Sequence, residues 1–137
     1  KPVIVQKEVP GFIANRLLVA LLREALSLVQ RGVASPQDID TVLKTSHARR
    51  WAVAGIFEMA EVMASWDLAV AVFPHLLPDL DSSMDVMELI QEKVDKGESG
   101  STTGKGFYEW TPESTEASRQ KMAQAFIEIE KWSQENS

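Results

Sequence analysis

Apolar residues dominate the stretch from Pro10 to Gly32, and their spacing predicts one long helix. Placed about 100° apart, its polar residues share roughly a third of the circumference; they are Arg16, Arg23, Glu24, Ser27, Gln30 and Arg31. A Pro-Gly pair opens the stretch, and Gly32 is expected to end the helix because glycine adopts left-handed backbone angles cheaply. A helix this apolar must be covered on several sides, by its own chain or by another.

Asn15 interrupts the apolar surface of this helix. It shares a stripe with Val19, Leu22 and Leu26. An amide without hydrogen-bond partners near apolar groups costs about 1–3 kcal/mol. One interpretation is a first-turn Asn satisfied by nearby backbone, since Asn favours helix starts. The other is a polar group directed toward a ligand or another domain.

Cap and stop signals predict further helices after Gly32. Ser35 is an expected N-cap, with Pro36 in the first turn, for a helix that ends near Ser46. A helix starting after Gly55 carries Glu58 in its first turn, where a structural role is favoured over a catalytic one.

Three more helices are expected in the second half of the chain. Asp67 is an expected N-cap for the first, and Ser83 or a neighbour caps the second, which ends at Lys96-Gly97. Thr111-Pro112 caps the last helix, which is predicted to dock through an apolar stripe of Met122, Ala125, Phe126, Ile129 and Trp132. The tail 133–137 should fray.

Two segments outside the predicted helices have a different composition. Val3, Ile4 and Val5 are β-branched and lie between prolines, so they predict an extended lead-in or a short strand that pairs with another domain. Glu98–Tyr108 is rich in glycine but lacks the spacing of a phosphate-binding loop. A structural turn is favoured there, and a contact to substrate or to a partner domain is the alternative.

Composition excludes several classes of function. The chain has 137 residues, a net charge of −6 and no cysteine, which argues against nucleic acid, an anionic membrane and disulfide or thiolate chemistry. His47 and His75 each stand alone, so no metal site is expected. Arg49, Arg50 and Trp51 suggest an anion or stacking site, or a solvated loop with the tryptophan anchored in the core.

The motifs PGFIANRL, GIFE and TGKGFY occur in that order. Together they resemble the C-terminal domain of the L-3-hydroxyacyl-CoA dehydrogenase family, with its lambda-crystallin-like and carnitine dehydrogenase relatives. The resemblance runs from Lys1 to about Trp110. It implies an all-α multihelical bundle around one long N-terminal helix, like the 6-phosphogluconate dehydrogenase C-terminal-like fold. It also implies a homodimer, with residues 1–137 forming one helical domain that follows an N-terminal Rossmann domain.

The resemblance further implies a role for Asn15. In this family the N-terminal domain binds NAD and supplies a catalytic His–Glu pair, and the Asn of PGFIANRL is a substrate-side catalytic residue. The expected parent is a cytoplasmic NAD-dependent 3-hydroxyacyl-CoA dehydrogenase of fatty acid metabolism, of the 3-hydroxybutyryl-CoA type. This domain alone should bind no cofactor and be inactive.

Two departures from the family pattern keep other interpretations open. Ser46 and His47 stand where relatives have a glycine turn, and Ile56 replaces a proline. These departures leave a catalytically inactive relative open. The apolar surface from Phe12 to Val29, which the short remaining helices cannot cover alone, supports the other alternative, a helical dimerisation module of a related 3-hydroxy acid dehydrogenase of the carnitine or gulonate type. The substrate is thus expected to be an acyl-CoA or a small 3-hydroxy acid.

Overall fold

The computed structural model describes residues 2–135, and these residues form helices and no β-strand. The helices are α1 (Ala14–Gln30), α2 (Pro36–Thr45), α3 (His47–Arg50), α4 (Ile56–Met63), α5 (Trp66–Leu76), α6 (Val86–Asp95) and α7 (Pro112–Glu135). The expected all-α class is therefore confirmed.

The long first helix starts later than the sequence predicts. Gly11 and Phe12 have positive φ angles of 77° and 50°, and the N–H of Phe12 donates to the carbonyl of Val9 at 3.0 Å. This turn is incompatible with a right-handed helix, so the prediction of helix from Pro10 is wrong and α1 begins at Ala14. The turn folds the chain back beside the first residues of the helix.

The end of α1 is as expected. Gly32 has a φ of 68° and donates to the carbonyl of Val29, while Val33 donates to that of Leu28 at 2.9 Å. This pair of bonds is the Schellman arrangement, in which a left-handed glycine satisfies the last carbonyls of a helix.

The second half of α1 packs within the chain. Its helix neighbours are α2 and α6, and Ser27 of α1 and Val86 of α6 are the two buried residues, at 5% and 6% exposure, among those described. The segment before α6 is tied to α1 because the N–H of Asp81 donates to Glu24 at 2.8 Å. This half of α1 is the part of the molecule with an internal core.

Side-chain caps fix the starts of three helices, α2, α5 and α7. Ser35 accepts from the N–H of Asp38 at 3.1 Å, and Thr111 accepts from that of Ser114 at 3.1 Å, both as predicted. The cap of α5 is different from the expected one: the hydroxyl of Ser65, two residues before Asp67, accepts from Leu68.

The start of α6 also departs from the prediction. Its N-cap is Asp85, which makes no side-chain cap bond, and Ser83 accepts from the N–H of Asp85 at 3.1 Å. Ser83 therefore orders the turn before the helix and does not cap it. The C-terminal stop is as predicted, since Gly97 has a φ of 71°.

The chain leaves an unusual amount of apolar surface uncovered. Its accessible surface is 11150 Å², whereas a compact monomer of 15.2 kDa exposes about 7,100 Å². The predicted docking stripe of α7 is bare, with Phe126 72% exposed. Most of α4 and α5 is exposed as well.

The two ends of the chain test two of the sequence-based expectations. Residues 3–5 are exposed and form no strand within residues 2–135, so the predicted pairing with another domain stays a prediction. The tail is helical as far as Glu135, so fraying at 133–135 is not seen, and 136–137 lie outside the described residues. No helix within residues 2–135 is both long and apolar enough to cross a membrane.

Candidate functional site

A groove of about 520 Å³ runs along the first half of α1. Its wall is the turn before the helix, which includes Pro10 and Gly11, and its floor includes Asn15, Val19 and Ala20. A Cβ on Gly11 would lie 3.6 Å from the Cβ of Asn15, and Gly11 also has a positive φ. The separation is an ordinary contact distance, so it is the positive φ of the turn that favours glycine at this position.

Asn15 lines this groove with a free amide. It is the second residue of α1 and is exposed, and its side chain makes no hydrogen bond to any other residue within 2–135. The interpretation that nearby backbone satisfies the amide is therefore not supported. Its two N–H donors and its carbonyl oxygen are available to a ligand.

Two guanidinium groups make the groove electropositive. Arg16 donates to the carbonyl of Pro10 at 3.3 Å, and the Nε of Arg23 is buried with no acceptor among the described residues. The first turn of α1 holds no acidic residue. In a chain of net charge −6, this local arrangement suits an anionic group, because guanidinium binds carboxylate or phosphate through paired N–H donors.

The carboxylate of Asp81 interacts with the charge of Arg23. The N–H of Ser83 donates to its carboxylate at 2.6 Å, and this bond lowers the pKa of Asp81, with the charge of Arg23 acting in the same direction. Arg23 therefore lies in the groove lining and also interacts electrostatically with the carboxylate of Asp81.

The segment with Arg49, Arg50 and Trp51 does not line the groove. It forms α3 where a loop is expected, and Arg50 donates to the carbonyl of Ser46 at 3.2 Å. Trp51 is 39% exposed, so the expectation that it anchors in the core is wrong for this chain. The anion or stacking site stays a prediction.

Glu58 has the structural role that the sequence favours. Its carboxylate accepts a hydrogen bond from the N–H of Gly55 at 3.4 Å. It thereby satisfies a backbone donor at the start of α4 that has no partner within the helix. Ile56 takes the first position of that helix, which shows that the absent proline does not prevent the helix from starting.

The glycine-rich loop forms a turn held by internal contacts. Glu98 pairs with Lys93 at 3.0 Å and with Lys105 at 2.9 Å, and the hydrogen bonds from these two lysines lower the pKa of Glu98. The ammonium of Lys93 also lies 4.6 Å from the ring centre of Phe107. These contacts clamp the loop to α6.

Tyr108 attaches the same loop to α2. Its hydroxyl donates to the Oδ2 of Asp40 at 2.7 Å, and this bond, together with burial, raises the pKa of Tyr108 to about 12. The predicted structural turn, with its aromatic residues packed back onto the helices, is confirmed.

No group of three or more His, Cys, Asp or Glu residues in the described part of the chain is placed to hold a metal ion. Sequence reasoning did not foresee that Arg16 and Arg23 border the same groove as Asn15. Helical periodicity puts both arginines on the polar arc, away from the Asn15 stripe, and the turn at Gly11 joins the two surfaces.

Residues 11–110 match the family model described as the C-terminal domain of 3-hydroxyacyl-CoA dehydrogenase. The chain belongs to this family. The first residue of the match, Gly11, opens the turn that borders the groove.

Similar proteins are dehydrogenases by name. The chain is 38% identical over 93% of its length to 5-formyl-3-hydroxy-2-methylpyridine 4-carboxylate 5-dehydrogenase of Mesorhizobium japonicum, and covers 41% of that protein. It is 53% identical over 57 residues to L-carnitine dehydrogenase of Pseudomonas aeruginosa, and 42% identical over 55 residues to 3-hydroxyacyl-CoA dehydrogenase of Gibberella moniliformis. The last two matches cover 42% and 40% of this chain, and 18% and 17% of those proteins.

A solved structure shares the arrangement of the helices. The crystal structure of an enzyme of the same pyridine carboxylate type, described as an NAD+-dependent dismutase, matches 94% of this chain with a TM-score of 0.88 at 38% identity. The chain covers 41% of that structure, so it spans about two fifths of the relatives that match most of its length.

Proposed function

We propose that this chain is the substrate-side domain of an NAD-dependent dehydrogenase and that Asn15 donates a hydrogen bond to the reacting oxygen of the substrate. The observation that carries the proposal is the free amide of Asn15 in the groove along α1. Membership of the dehydrogenase family supports the class of reaction.

The proposed chemistry gives the amide a defined task. Oxidation of a hydroxyl moves a hydride from carbon to NAD while a base takes the hydroxyl proton, and both NAD and the base belong to the N-terminal Rossmann domain that the family resemblance implies. Negative charge develops on the oxygen as the proton leaves. An N–H donor fixed beside that oxygen stabilises the charge, and the loss of such a donor typically slows catalysis 10²–10³-fold.

The groove supports an anionic substrate. Arg16 and Arg23 suit the phosphates of a 3-hydroxyacyl-CoA, such as 3-hydroxybutyryl-CoA, or the carboxylate of a small 3-hydroxy acid. The names of the pyridine carboxylate and L-carnitine relatives favour the small acid, and the name of the Gibberella relative favours the thioester. We therefore propose a small 3-hydroxy acid, in preference to a 3-hydroxyacyl-CoA, as the substrate class.

Assembly is the second part of the proposal. A homodimer formed through this domain would cover part of the 11150 Å² that the chain exposes, and a Rossmann domain of the same protein would cover another part. The expected cytoplasmic location stays a prediction.

The complete protein that contains this chain tests the role of Asn15. Asn15→Ala is expected to lower kcat at least tenfold with unchanged folding, because a transition-state donor is lost. Gln30→Ala is the matched control: it removes an exposed amide from the same helix, about 22 Å away, and should leave kcat unchanged. Equal kcat for the Asn15 variant and the parent would refute the role.

One further assay distinguishes the two substrate classes. Another tests whether the cofactor site lies in this chain or in another domain. A panel of 3-hydroxyacyl-CoA esters and free 3-hydroxy acids, followed by NADH absorbance, should show higher kcat/KM for the free acids. The 137-residue chain alone should neither oxidise them nor give a heat of NAD binding in calorimetry. NAD binding by the isolated chain would contradict the assignment of the cofactor to another domain.

A further inference from the structure

Arg23 is a partly buried arginine with an unused hydrogen-bond donor. It lies one turn before the buried Ser27 of α1 and lines the groove. Its Nε is buried and has no acceptor within residues 2–135. A buried N–H group without an acceptor is costly, and more so when the group is charged. This donor therefore requires an acceptor that the described residues do not provide.

The negative charge next to Arg23 does not use this donor. Arg23 interacts electrostatically with Asp81. Asp81 is fixed in turn, because its carboxylate accepts from the N–H of Ser83 at 2.6 Å and its own N–H donates to Glu24 at 2.8 Å. The interaction balances part of the charge of Arg23 but leaves its Nε without an acceptor.

The other guanidinium group of the groove already has a partner. Arg16 donates to the carbonyl of Pro10 at 3.3 Å, and its Cγ would lie 3.4 Å from a Cβ placed on Gly11. The side chain of Arg16 therefore packs on the turn and helps to hold the wall of the groove. Of the two arginines, Arg23 is the one with a buried donor that is unused.

Asn15 and Arg23 lie on either side of an apolar stretch of the groove. They are eight residues apart in α1, about 12 Å along the helix axis, and Val19 and Ala20 line the groove between them. Long side chains in a helix lean toward its N-terminus, which brings a guanidinium at position 23 closer to Asn15. The groove thus suits a molecule with a polar oxygen at one end, an anionic group at the other and a short apolar skeleton between them.

We propose that Arg23 gives the groove its specificity for a free carboxylic acid, by pairing its unused N–H donors with the substrate carboxylate. The reacting oxygen then lies at Asn15, and the carbon skeleton lies over Val19 and Ala20. A CoA thioester has no carboxylate at this place, because its acyl carbon is bonded to sulfur and a long pantetheine arm separates it from the phosphates. The inference rests on the proposed function and deepens it, since it names the residue that selects the small acid.

Calorimetry on the complete protein tests this contact without turnover, because NADH in place of NAD cannot accept a hydride. The probes are 3-hydroxybutyrate and 3-hydroxybutyramide, which have nearly the same shape and differ in charge. Arg23→Met removes the guanidinium and keeps an unbranched side chain. It should raise the Kd of the acid about 10–100-fold, as expected for the loss of a charged hydrogen bond, and leave the Kd of the amide unchanged.

Arg31→Met is the matched control. Arg31 follows the last residue of the same helix, does not line the groove and pairs with Asp79 at the surface, so both Kd values should stay as they are. An unchanged Kd of the acid in Arg23→Met would overturn the proposal, and so would binding of neither probe by the unmodified protein. Equal losses for acid and amide would also overturn it, and are expected if a carboxylate of another domain is the acceptor.

Arg23→Lys is a second variant that keeps a positive charge beside Asp81, so the local charge balance of the fold is preserved. Lysine lacks the planar, paired donors of arginine. Its Kd for the acid should therefore lie between those of the unmodified protein and Arg23→Met. A Kd equal to that of the unmodified protein would show that the paired donors are not used, and would overturn the proposed contact.

Steady-state kinetics separate this inference from the proposed function. Arg23→Met should raise KM for the free acid with kcat nearly unchanged, because the carboxylate contact is the same in the ground and transition states, whereas Asn15→Ala should lower kcat. Weaker binding of the acid by Arg23→Met together with full activity of Asn15→Ala would support the carboxylate contact and refute the catalytic role. The opposite pair of results would refute the contact and leave the proposed function.

Discussion

The tether between Tyr108 and Asp40 gives a prediction that can be followed at one residue. The chain has a single tyrosine, so absorbance of tyrosinate during an alkaline titration reports Tyr108 alone. Its hydroxyl donates to Asp40 at 2.7 Å, and the pKa of Tyr108 is about 12 in the fold against 10.0 for an ordinary tyrosine. The tether should therefore be visible as a late titration.

The magnitude of its loss follows from the hydrogen bond. A bond to a charged acceptor contributes about 1.5–3 kcal/mol when buried, and the exposure of Asp40 lowers this to about 1 kcal/mol. Tyr108→Phe should reduce the free energy of unfolding by that amount at pH 7 and lower Tm by about 4 °C. Since the folded pKa is raised, this contribution is present in full below pH 10 and disappears as pH rises towards 12.

The matched variant is Asp40→Asn, which keeps the shape of the acceptor and removes its charge. It should bring the titration midpoint of Tyr108 down towards 10, and a double-mutant cycle with Tyr108→Phe should return a coupling of about 1 kcal/mol. A midpoint near 10 in the unmodified, folded protein, or a coupling of zero, would refute the tether.

Three further predictions concern the local structure. Ser35→Ala removes the cap of α2 and should cost about 1 kcal/mol of unfolding free energy in a denaturant titration. Gly106→Ala would bring a Cβ within 2.9 Å of the Cα of Gly100 and should lower Tm measurably, whereas Gly55→Ala, with no atom within 4 Å, should leave it nearly unchanged. Glu98→Gln should remove part of the acid lability in a pH series, because the lowered pKa of Glu98 means that its contribution is lost as pH falls below about 4.5.

Helix ends are predictable from sequence where one residue satisfies backbone groups close to it in the chain. Gly32 and Ser35 act on backbone groups within a few residues, so sequence alone identifies them. The start of α1 was missed because a positive φ at Phe12 is rare outside glycine and is set by the whole turn. The cap at Ser65 was missed because Asp67 competes with it as an equally good capping residue.

Burial could not be predicted from residue type. The expectation that Trp51 anchors in the core assumes that one chain supplies its own core, but within residues 2–135 only Ser27 and Val86 are buried. Apolar periodicity identified the surfaces of α1 and α7 that need a covering. It contains no information on whether the covering comes from the same chain or from another.

The candidate site was predicted in part. The stripe position of Asn15 and the family motif are both visible in the sequence and predict the amide as a site residue. Its neighbours Arg16 and Arg23 enter the groove through the backbone turn at Gly11, which helical periodicity does not describe. A site between a helix and a turn therefore needs the three-dimensional structure.

The most direct test of the account is the kcat of Asn15→Asp in the complete protein, measured with the substrate that gives the highest kcat/KM. Aspartate keeps the size of the side chain but cannot donate when ionised, so the account predicts a fall in kcat on the order of 100-fold with an unchanged thermal midpoint. A kcat equal to that of the unmodified enzyme would contradict it.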